Sequence, residues 1–167
     1  RAALLAFADR ANRRLAECGY PLCKGGIMAG NPRWCMSLEE WRATFANWIH
    51  RGDAPALLQA SVFFDFRPLY GASALAEELR SWLNDALKDQ RLFLKRMAEN
   101  ALANRPPLGL VRDFVVSSGG ARGHTLDLKI NGITPFVDAA RIFALYAGAV
   151  ETGTAARLRA AARAWNM

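Results

Sequence analysis

Charged side chains are embedded in apolar runs at four places in the sequence. They are, in chain order, Asp65 with Arg67, Asp127 with Lys129, Asp138 with Arg141, and Arg157. Side chains two apart on a strand share a face, and side chains three apart on a helix can touch. A charge drawn partly into a core needs a partner. Structural ion pairs are therefore one interpretation, and a polar cleft that binds an anionic ligand and its metal is the other.

A glycine-rich turn offers a second candidate site. In Lys24-Gly25-Gly26, backbone N–H groups could face a phosphate while Lys24 adds positive charge. A plain turn between neighbouring elements is the alternative interpretation. The sequence has no G-x-S-x-G, H-E-x-x-H, P-loop or C-x-x-C motif, and it has only two histidines. We therefore predict no catalytic residue and no metal ligand in this chain.

Composition excludes several classes of protein. The 167 residues are 52% apolar and 22% charged, which predicts a globular chain. No apolar run approaches the ~18 residues of a membrane span, and we expect no signal peptide. Three cysteines, an odd number, favour reduced thiols and a cytoplasmic location. The net charge of +7 is spread over scattered basic residues, so nucleic acid is not the expected partner.

Apolar residues recur at helical spacing through most of the chain. This spacing predicts helices near residues 1–18, 37–51, 53–67, 73–104, 134–147 and 154–167. Ser37 and Glu40 form a capping-box pattern, and the polar residues 88–91 mark a kink or break in the longest segment. Strand-like residues 114–116 and 125–130 flank a glycine-rich loop and predict a β-hairpin. The predicted fold is mainly α: a bundle of about five helices with one small hairpin, preceded by a glycine-rich piece.

Several separated motifs, in one order, resemble a bacterial nucleotidyltransferase family of signal transduction. Residues 19–29 (GYPLCKGGIMA) and 31–34 (NPRW) resemble the end of its nucleotidyltransferase domain. Residues 63–67 (FFDFR) with Tyr70 and Gly71 resemble the start of the helical substrate-binding domain that follows. The pattern continues through residues 106–109 (PPLG), 126–129 (LDLK), Pro135, Asp138, Ala140, Arg141, Thr154, Arg157 and Leu158.

The resemblance implies a relative of the protein-PII uridylyltransferases, linked to upstream CBS or cyclic-nucleotide-binding domains. In such proteins a Gly-Ser signature and an Asp-x-Asp pair bind two metal ions for nucleotidyl transfer. This chain contains neither motif. We therefore expect a C-terminal fragment that is not catalytic alone, with residues 1–36 a remnant of an α/β nucleotidyltransferase domain and 37–167 the substrate-binding domain. Magnesium and a nucleoside triphosphate are expected for the full-length protein, and no cofactor for the fragment.

The resemblance also predicts which residues face the substrate. The predicted substrate-binding residues are Lys24, Asp65, Arg67, Asp127, Lys129, Asp138 and Arg141. The cations among them suit phosphate or an acidic protein acceptor. The other partners would be the upstream nucleotidyltransferase and sensor domains of the same chain. An interaction module that dimerises or relays a signal without binding nucleotide is the alternative, with the tryptophans Trp34, Trp41, Trp48 and Trp82 as anchors.

Overall fold

The computed structural model describes residues 1–103 and 127–166, and the regular secondary structure of this part of the chain is all helical. Its α-helices are α1 (Ala2–Glu17), α2 (Leu38–Arg51), α3 (Ala54–Phe63), α4 (Ser73–Leu87), α5 (Arg91–Leu102), α6 (Thr134–Tyr146) and α7 (Thr154–Ala164). A 3₁₀-helix covers Pro32–Trp34, and a short π-helix covers Leu128–Ile133. No strand occurs in the described ranges. The prediction of a mainly α fold is confirmed.

The chain divides into two compact units, Arg1–Ala43 and Thr44–Met167. In the first unit, the glycine-rich turn is held by two side-chain donors, because Asn31 Nδ2 and Trp34 Nε1 both donate to the carbonyl oxygen of Gly26, at 2.8 and 3.0 Å. Gly26 has a φ of +66°, a conformation that glycine adopts without steric cost. The predicted boundary between residues 36 and 37, and the α/β origin of residues 1–36, remain predictions.

Two predicted helix starts are confirmed by their caps. At the start of α2, Glu40 Oε2 accepts from the Ser37 backbone N–H at 2.6 Å, and Ser37 Oγ accepts from the Glu40 N–H at 3.2 Å. This reciprocal pair is the capping box that the sequence predicts. At the start of α3, Asp53 Oδ1 accepts from the Ala56 N–H at 3.0 Å.

The core of the second unit is aromatic where α2 meets the end of α3. Phe45 and Phe64 are fully buried, with ring centroids 4.9 Å apart, and Trp48 packs 5.4 Å from Phe45. Leu83 and Leu87 of α4 are also fully buried. Helix α6 packs against α5 and α7. This core fixes the residues after Phe64 against the rest of the second unit.

The predicted break in the segment 73–104 is confirmed, and the predicted hairpin needs correction. Helix α4 ends at Leu87 and α5 begins at Arg91, so the polar residues 88–91, which provide no apolar face to continue the helix, separate two helices. The predicted number of about five helices is therefore not confirmed. The β-hairpin lies mostly outside the described residues, but the second predicted strand is wrong at its end, since Leu128–Ile133 is helical. There, Asp127 Oδ1 accepts from the backbone N–H groups of Lys129 and Ile130 and starts a turn instead.

Candidate functional site

Four charged side chains of the second unit form one ion-pair network, which we call the Asp65 cluster: Asp65, Asp138, Arg141 and Arg157. Arg141 donates from Nε and Nη2 to Asp65 Oδ2, at 3.1 and 2.8 Å. Arg157 Nη2 donates to the other carboxylate oxygen, Oδ1, at 2.6 Å. Arg141 Nη1 also donates to Asp138 Oδ1 at 2.6 Å. The network therefore connects Asp65, two residues after the end of α3, to α6 and α7.

The Asp65 cluster is largely buried and its charges balance. The side chains of Arg157 and Arg141 are only 5% and 12% exposed. Burial alone would raise the pKa of Asp65, but the hydrogen bonds and charges of Arg141 and Arg157 outweigh burial and hold this pKa below its ordinary value. Burial likewise opposes the charge of Arg141, yet Asp65 and Asp138 raise its pKa. Asp65 and Arg141 therefore both stay ionised at neutral pH.

Arg80 of α4 lies beside this cluster and holds the backbone of residues 64–66. Its Nη1 donates to the carbonyl oxygen of Phe64 at 2.6 Å, its Nη2 donates to that of Phe66, and its guanidinium lies 4.1 Å from the centroid of the Phe66 ring. Burial and repulsion from Arg157 lower the pKa of Arg80, against the attraction of Asp65. Among the described residues, no carboxylate forms a salt bridge with Arg80.

A cleft of about 710 Å³ opens next to Arg80. Its volume falls within the range of small-molecule sites. The described lining comes from three places: the segment after Asp65, the polar side of α4, and the end of α6 with the residues that follow it. The described lining includes Phe66, Arg67, Glu77, Arg80, Asn84, Asp85, Lys88, Tyr146, Gly148 and Val150.

Helix α4 gives the cleft a row of polar side chains. Arg80, Asn84 and Lys88 are spaced by four residues and therefore follow one face of α4 and its end. Asn84 Nδ2 donates to the carbonyl oxygen of Gly148 at 3.1 Å, which joins α4 to the loop after α6. Lys88 Nζ lies 2.7 Å from Asp85 Oδ1, and this pair raises the pKa of Lys88.

The charges of the cleft are unevenly distributed. Lys88 is paired with Asp85, whereas neither Arg67 nor Arg80 forms a salt bridge with another described residue. Glu77 also lines the cleft, so among the described lining residues three cations face two carboxylates. The cations without a salt bridge to a described residue, Arg67 and Arg80, lie together at one end of the cleft. An anion bound there would meet an excess of positive charge among these residues.

The structure brings together some of the predicted site residues and separates others. Asp65, Asp138 and Arg141 meet in the Asp65 cluster, and Arg67 lines the cleft. The other predicted residues lie elsewhere: Asp127 caps the π-helix, Lys129 is exposed within it, and Lys24 is exposed in the first unit. Their role in substrate binding remains a prediction.

Sequence reasoning missed the polar row of α4. The prediction for residues 73–104 rests on their apolar stripe. It gives no role to Arg80 or Asn84 and includes Lys88 only in the polar residues 88–91 that mark a kink or break. A signal was present in the sequence, since the i, i+4, i+8 spacing places three hydrogen-bonding side chains in a row beside the stripe of Leu79, Leu83 and Leu87, about 100° further round the helix. Nothing in that spacing indicates that Arg80 folds back onto the carbonyl groups of residues 64 and 66.

Comparison with known proteins gives two matches along the chain. Residues 1–55 match the family model described as "Putative nucleotidyltransferase DUF294". Residues 91–167 match the model described as "Putative nucleotidyltransferase substrate binding domain". These matches support a putative nucleotidyltransferase substrate-binding domain in this chain. No curated protein and no solved structure matches it.

The match to the substrate-binding domain covers part of the candidate site. It includes Asp138, Arg141 and Arg157 of the Asp65 cluster, as well as the end of α6 that lines the cleft. Residues 56–90, which carry Asp65, Arg67 and α4, lie between the two matched segments. The candidate site is thus assembled from matched and unmatched parts of the chain.

Within residues 1–103 and 127–166, no helix is both long and apolar enough to cross a bilayer. In the same ranges, no three side chains of His, Cys, Asp or Glu are grouped as metal ligands would be.

Proposed function

We propose that this chain carries the helical domain that binds the nucleotide in a protein-PII uridylyltransferase-like nucleotidyl transfer, and that it closes over that substrate with the cleft beside α4. The observation that supports the proposal is the positive end of the cleft. Arg67 and Arg80 face it without a contacting carboxylate in the described structure, while its size suits a nucleotide.

Arginine suits this role because its planar guanidinium donates two parallel hydrogen bonds to phosphate oxygens. Arg67 is exposed and free to turn toward a ligand, whereas Arg80 is held by the carbonyl groups of Phe64 and Phe66. Arg67 would therefore form direct contacts with the phosphates, and Arg80 would supply a fixed positive charge. Magnesium would reach the site with the triphosphate, and the metal-binding carboxylates of catalysis would belong to a nucleotidyltransferase domain.

Isothermal titration of the chain with ATP, GTP, CTP and UTP, each with magnesium, tests the proposal. We expect binding of at least one nucleotide, and we expect Arg67→Ala to weaken it about tenfold, the effect of losing one charge-assisted hydrogen bond. Arg159→Ala is the matched control, because Arg159 is an exposed arginine of α7 outside the described lining of the cleft. An equal loss of nucleotide affinity in both variants would show that only the net charge of the chain matters. That result would contradict the proposal.

Absence of binding for all four nucleotides would overturn the proposal and favour the interaction module. Light scattering on the same samples then measures whether the chain dimerises. Leu69 and Tyr70, which are 92% and 100% exposed in the loop between α3 and α4, are the natural first substitutions in that case.

A further inference from the structure

We infer that the end of the cleft at Asn84 and Tyr146 is a nucleobase subsite, so that the base and the phosphates of one nucleotide occupy opposite ends of the cleft. This inference rests on the proposed function and deepens it, because it names the part of the nucleotide that each end would bind. Three observations carry it: the uneven charge, the hydrogen-bonding state of Asn84, and the exposure of Tyr146.

The charge distribution sets the orientation of the ligand. Near Arg67 and Arg80 the positive charge forms no salt bridge with a described residue, whereas Lys88, further along α4, is paired with Asp85. Along α4, the four residues from Arg80 to Asn84 correspond to about 6 Å at 1.5 Å per residue. An extended nucleotide can span that distance. Its phosphates would lie near the two arginines and its uncharged base near Asn84.

Asn84 carries a hydrogen-bonding atom that no described residue uses. Its Nδ2 donates to Gly148, while its Oδ1 is buried and accepts no hydrogen bond from any described residue. A buried acceptor without a donor is costly and rare in native proteins. The unsubstituted bases of all four nucleotides carry an N–H donor on one edge, and a turn of the Asn84 side chain that gives up its bond to Gly148 would present Oδ1 to that donor.

Tyr146 provides an aromatic surface at the same end. It is the last residue of α6, it lines the cleft, and it is 55% exposed. The edge-to-face contact with Trp165, whose centroid lies 5.9 Å away, holds one side of the ring and leaves the remainder to solvent. Val150, also in the lining, is 64% exposed. Stacking on an exposed aromatic ring stabilises a bound base, whichever of the bases it is.

Calorimetric titration of the tightest-binding nucleoside triphosphate and of inorganic triphosphate, both with magnesium, tests the inference. For wild type we expect the nucleotide to bind at least tenfold more tightly than inorganic triphosphate, because only the nucleotide reaches the base subsite. We expect Tyr146→Ala to weaken the nucleotide about tenfold and to leave inorganic triphosphate unchanged, and Tyr146→Phe, which keeps the ring, to retain most of the affinity.

Asn84→Ala should also weaken the nucleotide selectively, by about fivefold. Phe136→Ala is the matched control, because Phe136 is an aromatic residue on the same helix, is 68% exposed and lies outside the described lining of the cleft. Far-UV circular dichroism of each variant confirms that the fold is retained.

The two proposals fail in different ways. If Tyr146→Ala weakens the binding of nucleotide and of inorganic triphosphate equally, or weakens neither, the inferred base subsite is wrong. The proposal that the arginine end of the cleft binds phosphate then still stands. If inorganic triphosphate and every nucleotide fail to bind the wild-type chain, both proposals are wrong.

Discussion

The Asp65 cluster and the cleft beside α4 use the same residue types for different purposes. In the cluster, two carboxylates face two arginines, and each guanidinium contacts at least one of the carboxylates. In the cleft, Arg67 and Arg80 face the cavity with no contacting carboxylate among the described residues. In a balanced, buried set each charge depends on its partners, so removing one destabilises the fold, and an excess of one sign at a cavity is suited to a ligand of the other sign. The comparison therefore distinguishes bracing arginines, which contact buried carboxylates, from the proposed binding arginines, which face the cleft.

The largest effect that tests this comparison is the loss of the shared carboxylate. Asp65→Asn keeps the size of the side chain but leaves Arg157, which is 5% exposed, without its carboxylate partner. Removing one partner of a buried ion pair costs about 3 kcal/mol, so we expect the free energy of unfolding to fall by about that amount. Urea denaturation followed by tryptophan fluorescence measures it.

The control for Asp65→Asn is Glu99→Gln, which neutralises an exposed carboxylate of α5 whose pair with Lys95 is solvated. Its unfolding midpoint should match that of wild type. Equal midpoints for Asp65→Asn and Glu99→Gln would show that the Asp65 cluster does not brace the fold.

A conservative change of Arg157 should have a smaller effect. Arg157 uses two separate groups: Nε donates to the carbonyl oxygen of Glu151 at 2.9 Å, and Nη2 donates to Asp65. A lysine has a single ammonium group and cannot reproduce this fork. We expect Arg157→Lys to reduce the free energy of unfolding by about 2 kcal/mol, less than the loss of Asp65 because the charge is kept.

Arg163→Lys is the matched control on the same helix. Arg163 is 69% exposed and lies 3.4 Å from Glu151 Oε1, so its contact is solvated. Thermal unfolding of both variants gives the comparison. If lysine at position 157 is tolerated as well as lysine at position 163, then charge alone, and not the forked geometry, holds α7.

The pH dependence of stability tests whether Asp65 acts as an ion. Its pKa in the folded chain lies below the value of about 3.9 that an aspartate has in an unfolded chain. Its contribution is therefore fully present above about pH 4 and is lost as the pH falls through the lower, folded pKa. We expect the difference in unfolding free energy between wild type and Asp65→Asn to be constant from pH 5 to 7 and to shrink below pH 4. A difference that does not change with pH would assign the effect to packing.

The sequence predicts the helix starts and local ion pairs around this site better than the contacts between residues far apart in the chain. Ser37, Glu40 and Asp53 start helices as predicted, because capping depends on residues three positions apart. The pairing of Asp138 with Arg141 was also visible, since i and i+3 share a helix face. By contrast, the contacts of Asp65 with Arg141 and Arg157 join residues 76 and 92 positions apart. Local spacing carries no information about such pairs, nor about the folding back of Arg80.

The smallest expected effect concerns Arg67, two residues from Asp65. The side chain of Arg67 is exposed and forms no salt bridge with a described residue, so its removal should change the free energy of unfolding by no more than about 0.5 kcal/mol. Urea denaturation of Arg67→Ala beside Arg159→Ala, an exposed arginine of α7, gives the measurement. A loss as large as that of Arg157→Lys would place Arg67 among the bracing arginines. An unchanged midpoint, together with weaker nucleotide binding, would separate the two sets of arginines by function. Arg67 would then contribute little to the stability of the fold and much to the binding of the ligand.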